Sequence, residues 1–309
     1  MFRRMGSHLI ATATAVLAVS AGFIHAAVIN IPNGSFENQS NNYVNINLDS
    51  WQKSPKPEGY VESGGTFWSQ LTGAFKNPAT TSPDHIDNCD GEQAIWIFVV
   101  PEVAIFQDYD SKDWNDPVPS HAFDARFDPG NSYQLTVGVI GGGGGMLEGA
   151  SLEIGFYYRD AASNAVTVAA TSITNTPARF PNNTHFVDFQ ARVPVVKPGD
   201  PWAGQHLGVQ LRSTVSTNLQ GGYWDLDNVR LIAIPEPVFS LSHAAAGSDL
   251  RIAWPSVTGY QYQMKTSQDL QTWRADGDIL TGTGGELFRL VPTVGQTKGY
   301  FRVLATPVP

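Results

Sequence analysis

Cysteine is nearly absent from this chain. Its 309 residues hold one, Cys89, so no internal disulfide can hold the fold and no zinc site can rest on cysteine pairs. Long apolar runs are absent after the N-terminal segment. Helical periodicity is absent as well: no later stretch repeats apolar residues every three to four positions. Basic clusters are missing, with 19 Lys and Arg against 28 Asp and Glu. That balance argues against nucleic acid or an anionic membrane as partner. Common catalytic signatures are missing too. Gly141–Gly145 has Gly-x-Gly spacing, but no Gly-Lys-Ser/Thr follows and no βαβ pattern surrounds it, so it reads as a flexible or bulged loop. No Gly-x-Ser-x-Gly elbow occurs, and the histidines are scattered. Asp84-His85-Ile86-Asp87-Asn88-Cys89-Asp90 gathers metal-ligand types in one run and reads as a solvated acidic loop.

What is present begins with a leader. Arg3 and Arg4 precede a small, apolar stretch from Leu9 to Ile24, and Ile24-His25-Ala26 offers a cleavage site. Residues 1–26 therefore read as a secretory signal, and the apolar run is shorter than the ~20 residues a span needs. Cleavage would take the formal charge from −9 to −11. The expected location is secreted, periplasmic or cell-surface.

The remainder reads as all-β. Glycine (30) and proline (20) punctuate short apolar or alternating runs. These are Ala94–Val100, Tyr133–Ile140, Leu152–Tyr158, Ala165–Ala170, Phe186–Val195, His206–Arg212 and Tyr223–Ile232. Ile234-Pro235-Glu236-Pro237 reads as a linker. A smaller series follows it: Val238–Ser242, Asp249–Trp254, Tyr260–Thr266, Leu287–Val291 and Tyr300–Leu304. The expected architecture is a jelly-roll β-sandwich over 28–233, then a smaller β-sandwich over 238–309, with Trp254 and Trp273 in the second core.

Two segments frame the first domain: Asn33-Gly34-Ser35-Phe36-Glu37 and Trp224-Asp225-Leu226-Asp227-Asn228-Val229-Arg230-Leu231. A strict two-residue period puts Asp225, Asp227, Val229 and Leu231 on one face of the second segment. A carboxylate buried there without a partner is costly. A hard cation relieves that cost, because Ca²⁺ takes 6–8 oxygens from carboxylates, carbonyls and water. Exposed aromatics beside amides and acids suit sugar binding. Trp68, Trp96, Trp114, Trp202, Tyr109 and Tyr223 supply rings, and the polar loop Asp108–Ser120 sets Trp114 beside Asn115. Trp96, between Ile95 and Ile97, reads as embedded in its sheet.

The order of several short motifs resembles a known family. Asn-Gly-Ser-Phe-Glu with Trp51, then Asp90-Gly91-Glu92-Gln93-Ala94 and Tyr133-Gln134-Leu135-Thr136-Val137, is similar to galactose-binding-like jelly-roll modules. Asp200-Pro201-Trp202-Ala203-Gly204-Gln205-His206-Leu207 and the Asp-Leu-Asp-Asn-Val-Arg-Leu close extend the likeness. The nearest subgroup resembles the calcium-dependent Stig-cyclase-type domain. The resemblance covers about residues 28–233. It implies a structural Ca²⁺ held by Glu37 and Asp227, with backbone oxygens near Ser35. The segment from Tyr262 through Ser267-Gln268-Asp269-Leu270-Gln271-Thr272-Trp273 to Gly299-Tyr300-Phe301-Arg302-Val303 resembles a fibronectin III-like module of exported Verrucomicrobia–Planctomycetes proteins.

The function expected from these readings is a secreted, non-catalytic binding protein for a glycan or cell-envelope component. Its ligand residues would be Trp114, Asn115, Tyr109 and Asp225. Two alternatives stand beside it. One is a calcium-dependent cyclase-type enzyme on the same jelly roll, with Asp225 and Tyr109 as candidates for its acid site. The other is a purely structural or adhesive surface protein.

Overall fold

The computed structural model describes residues 26–62, 66–235, 241–246, 249–292 and 299–308. Residues 1–25 of the expected leader, Glu236-Pro237 of the expected linker and the start of the expected strand at Val238 lie outside them. The chain divides into two compact units, one formed by Ala26–Glu236 and the other containing Pro237–Pro309. No helix among the described residues is long and apolar enough to cross a membrane.

The first unit is a jelly-roll β-sandwich. Its strands are β1 (Ala27–Ile29), β2 (Val44–Asn45), β3 (Gln52–Lys53), β4 (Thr72–Lys76), β5 (Gln93–Phe98), β6 (Ala104–Gln107), β7 (Asn131–Gly143), β8 (Ser151–Arg159), β9 (Ala165–Thr174), β10 (Val187–Val193), β11 (Gly208–Ser213) and β12 (Tyr223–Pro235). One sheet runs β10-β7-β12-β5-β4-β2, with β1 also paired to β12; the other runs β3-β6-β11-β8-β9. All their ladders are antiparallel. Between the sheets, Ile95, Ile97, Leu135, Val137, Trp224 and Leu226 meet Ile105, Leu152, Ile154, Phe156, Val209 and Leu211 in a buried core. Trp51 and Trp68 are buried in the same core, and Trp202 packs against it. The Trp51 indole N–H donates to the Asn33 carbonyl at 3.0 Å, which ties the opening segment down.

β12 departs from the strict two-residue period. Asp227 faces Gly138 on β7, but Arg230 faces Thr136, so β12 carries one extra residue in a bulge. Asn228 takes the bulge with φ +53°, the left-handed conformation asparagine tolerates. The bulge resets the alternation. Trp224 and Leu226 point into the core before it, and Val229 and Leu231 point there after it. The expectation that Asp225 and Asp227 share a face with Val229 and Leu231 is therefore corrected. Asp225 lies on the outer face of the sheet, away from the sandwich core.

That outer face is also covered. Ile86, Ala94, Ile140 and Phe186 form a second small buried cluster, with Phe75 and Cys89 packed against it. Its cover is the loop after β4, together with the segment before β10. Asn77 holds that loop with paired bonds to the Ile86 main chain, at 3.0 and 2.9 Å. Asn88 binds the Phe186 main chain in the same two-way fashion, at 2.8 and 3.0 Å. Asp84–Asp90 is thus a loop whose acids are exposed, as expected, and which is pinned to the fold through Ile86 and Asn88. Gly141–Gly143 likewise belong to β7 rather than to a loop, and Ile234–Pro235 extend β12 rather than opening the linker.

The second unit is a smaller sandwich. β14 (Asp249–Pro255) sits between β13 (Ser242–Ala246) and β18 (Glu286–Pro292). β15 (Tyr260–Ser267) pairs with β16 (Arg274–Ala275), β17 (Leu280–Thr281) and β19 (Tyr300–Pro307). Trp254 and Tyr262 are buried there, with ring centroids 6.5 Å apart. Trp273 is not in that core; it is half-buried under the Arg302 guanidinium, 4.2 Å from the ring centre.

Candidate functional site

Pairing across the covered sheet face sets side chains in rows. Asp225 on β12 faces Trp96 on β5 and Ile140 on β7, and Trp96 in turn faces Gly73 on β4. In the next row Tyr223 faces Phe98 and Gly143. Same-face residues on neighbouring strands touch, so an acid is set among aromatic and aliphatic groups. These rows form the floor of a cavity of about 550 Å³. Val44, Ile46, Phe75 and Ile86 supply apolar walls, and Asp84, Asn183 and Thr184 stand at its loop side.

Glycine at two floor positions makes room for rings. A Cβ at Gly73 would lie 2.4 Å from the Trp96 ring, and one at Gly143 would lie 2.5 Å from the Tyr223 ring. The Trp96 indole N–H donates to the Gln70 carbonyl at 3.1 Å. Its ring is therefore fixed at one end with its polar atom satisfied. The Phe98 and Tyr223 rings meet edge to face, with centroids 6.0 Å apart.

Asp225 makes no hydrogen bond or ion pair among the described residues. Asp225 lines the cavity, and burial pushes its pKa up to about 7. The Tyr223 phenol is raised by burial and then by the negative charges of Asp225 and Asp84.

The two framing carboxylates lie elsewhere, at the base of the cavity wall. Glu37 Oε1 accepts the main-chain N–H of Glu92 and of Gln93, at 2.9 and 2.8 Å. Asp227, fully buried, accepts the N–H of Asp90 on one oxygen and that of Asn228 on the other, both at 2.6 Å. Burial pushes Asp227 up to about 7, and its hydrogen bonds offset only part of that rise. Both acids thus grip the 90–93 segment, and no lysine, arginine or histidine pairs with either among the described residues. Ser35 lies two residues before Glu37. No group of three or more Asp, Glu, His or Cys side chains among the described residues is arranged to hold a metal. A hard cation fits what is here, two uncompensated carboxylates with oxygen-only donors, if main-chain oxygens complete its shell.

The four expected ligand residues are not brought together. Asp225 lines the cavity; Trp114, Asn115 and Tyr109 do not. Trp114 is 52% exposed, and Asn115 is exposed beside it on the loop after β6. The Tyr109 ring is stacked between His121 and His206, 4.0 Å from each. Sequence reasoning missed Trp96, Phe98, Phe75, Ile140 and Asp84 as cavity residues. The available signal was β5 itself, where Ala94, Trp96 and Phe98 alternate with Ile95 and Ile97. A strand apolar on both faces is covered on both.

Comparison with known proteins adds a family. The model of the HpiC1-like family, described as HpiC1 cyclase, matches residues 27–232. A cyclase from Fischerella sp. TAU is 22% identical over 69% of this chain and 100% of its own, with a TM-score of 0.50. The Stig cyclase Fisc from the same source, in complex with (3Z)-3-(1-methyl-2-pyrrolidinylidene)-3H-indole, is 22% identical over the same shares, with a TM-score of 0.49. The tandem CBM22-1–CBM22-2 domain of Paenibacillus barcinonensis Xyn10C is 11% identical over 94% of this chain and 92% of its own, with a TM-score of 0.38. At these identities the likeness is one of fold. No curated protein matches the chain. The family match overturns the expectation of a non-catalytic module, which gave too much weight to the framing carboxylates and overlooked the cavity beside them.

Proposed function

The chain belongs to the HpiC1-like cyclase family, and on that premise we propose that it is an enzyme that closes rings in an unsaturated substrate with a largely apolar body by acid catalysis. The observation that carries this reading is the placement of Asp225. Its unpartnered carboxyl sits on the floor of an aromatic-walled cavity, between Trp96 and Ile140. The carboxyl would give its proton to the substrate. A substrate π bond would supply the electrons of the new carbon–carbon bond, and the carboxylate would take a proton back from the cyclised cation. The product is then an isomer of the substrate. Phe75, Trp96, Phe98 and Tyr223 offer ring faces to the transient cation, each worth about 0.5–2 kcal/mol. Ile86, buried beside the floor, adds an apolar wall, and Val44 and Ile46 line the solvent-facing side. The test is to incubate the protein with aromatic compounds bearing unsaturated side chains and look by mass spectrometry for products of unchanged mass. Asp225→Asn should lower turnover about 10²–10⁴-fold without lowering the melting temperature. Full activity in that variant would sink the role.

Calcium belongs to the same proposal as a structural ion. Glu37 and Asp227 would hold it, with main-chain oxygen near Ser35, and it would neutralise two acids while joining the opening segment to the last strand. Its support is the buried, uncompensated charge of Asp227. A melting temperature unmoved by chelator would remove it. Export is likewise proposed from the N-terminal segment; a mature start at Ala27 is the result to seek. A second reading concerns the exposed Trp114–Asn115 pair, which presents a ring and an amide of the kind a sugar stacks on. A glycan array with wild type and Trp114→Ala checks it.

A further inference from the structure

The cavity lining carries a charge pattern that narrows the substrate class, on the reading that this cavity is the active site. Among the described residues its charged side chains are Asp84 and Asp225, both acids, and no lysine, arginine or histidine lines it. Neither carboxyl has an ion-pair partner among the described residues. They sit at different levels. Asp225 is on the sheet floor, whereas Asp84 is exposed on the loop between β4 and β5. The Asp84 main-chain N–H donates to the Ser82 hydroxyl at 3.2 Å, which leaves its carboxyl unused by the fold. The neighbouring His85 is not among the lining residues, and its Nδ1 is bonded to the Pro78 carbonyl at 2.7 Å. Phe75, Trp96, Phe98 and Tyr223 line the same cavity as the two acids and supply its aromatic surface.

An anionic group entering this space would meet two carboxylates and no cation, with only the neutral donors of Gln70, Asn183, Thr184 and Tyr223 to replace its hydration. A neutral group would gain apolar contact and neutral hydrogen bonds, but no charge pairing. A cationic nitrogen would gain from both elements, the carboxylate at the mouth and the ring faces below it. We infer that the cavity takes a substrate with a positively charged nitrogen on an aromatic or aliphatic body, and that Asp84 selects for that charge. A mouth carboxylate and an aromatic wall together favour the cation over a neutral isostere by about five- to thirty-fold. The same geometry disfavours phosphorylated substrates.

The experiment uses three small probes of one shape and different charge: phenethylamine, 2-phenylethanol and 3-phenylpropionate. Each is titrated by NMR into the full-length protein, into Asp84→Asn and into Asp84→Glu, with melting temperatures measured alongside. The amine should bind at least five-fold tighter than the alcohol, and the carboxylate weakest. Asp84→Asn should cut the amine's advantage to what the rings alone supply while leaving alcohol binding unchanged, and Asp84→Glu should restore it. Equal binding of amine and alcohol to wild type overturns the inference and leaves the cyclase reading in place. So does an amine advantage that Asp84→Asn leaves undiminished. Failure of all three probes to bind overturns the inference and counts against the cavity as the active site.

Discussion

Gly73→Ala tests whether the cavity floor is packed as tightly as the geometry indicates. The new methyl carbon would lie 2.4 and 2.5 Å from two carbons of the Trp96 ring and 2.6 Å from the Asn45 carbonyl oxygen. Comfortable contact between carbons is about 3.5–4.0 Å, so roughly an ångström must be found. The indole cannot simply turn away, because its N–H is bonded to the Gln70 carbonyl. Tipping it into the cavity breaks that bond, at about 0.5–1.5 kcal/mol. Overpacking of this kind costs about 1–3 kcal/mol in total. Against this, alanine narrows the unfolded ensemble and returns about 0.4–1 kcal/mol. The net expectation is a loss of about 1–2 kcal/mol. At about 2–4 °C per kcal/mol for a unit of this size, the melting temperature should fall by roughly 2–8 °C. Gly59→Ala is the matched control, since nothing lies within 4 Å of its Cβ position. The assay is thermal melting of both variants with indole fluorescence as a second probe. A Gly73→Ala protein that melts at or above the Gly59→Ala protein would refute the packing argument, and with it the fixed position of Trp96.

Two further predictions follow from groups outside the cavity. Lys53 donates to the Ser69 and Thr72 carbonyls, and burial lowers its pKa from 10.5 to about 8. Between those values the unfolded chain binds more protons than the folded one, so stability should rise with pH across that window, by up to about 3 kcal/mol. Urea midpoints at pH 8 and 9.5 should therefore separate more in wild type than in Lys53→Met, and equal separations would contradict the assignment. The Cys89 thiol is pushed up by burial first, then by Asp227, Glu37 and Asp90. Iodoacetamide at pH 8 should label it slowly in the folded protein and readily in urea; rapid native labelling would show that the thiol is not held as described.

The long strands were legible because their apolar residues recur on a two-residue period with Gly, Asn, Asp or Pro between runs. The expected Leu152–Tyr158 and Tyr260–Thr266 differ from β8 and β15 by a residue at each end or fewer. β4 and β6 escaped notice. Thr72-Gly73-Ala74-Phe75-Lys76 carries little apolar bulk, and its glycine serves Trp96 rather than its own strand. The site was less legible for a related reason. Period-two reasoning assumes an unbroken strand, and the bulge at Asn228 inverts every facing assignment upstream of it relative to those downstream. Trp96 was placed in the sheet but on the wrong side of the argument, since both faces of β5 are covered.

The bulge also explains how one strand serves two purposes. Without it, Asp225 would share a face with Val229 and Leu231 and would have to enter the sandwich core or displace them. With it, the strand keeps Trp224 and Leu226 inward before the bulge and Val229 and Leu231 inward after it. Asp225 stays on the outer face, and Asp227 falls where its oxygens reach the N–H groups of Asp90 and Asn228. Asp90 terminates the loop that carries Asp84 and Ile86 to the cavity. The carboxylate that anchors this wall and the carboxyl on the floor are therefore two residues apart on one strand. A change at Asp227 should disturb the cavity even though Asp227 does not line it, whereas a change at Asp225 should leave the wall in place. That asymmetry separates a fold-holding acid from a reacting one: Asp227→Ala should lower both melting temperature and probe binding, and Asp225→Asn should spare both while abolishing turnover. Equal loss of stability in the two variants would mean that both acids serve the fold.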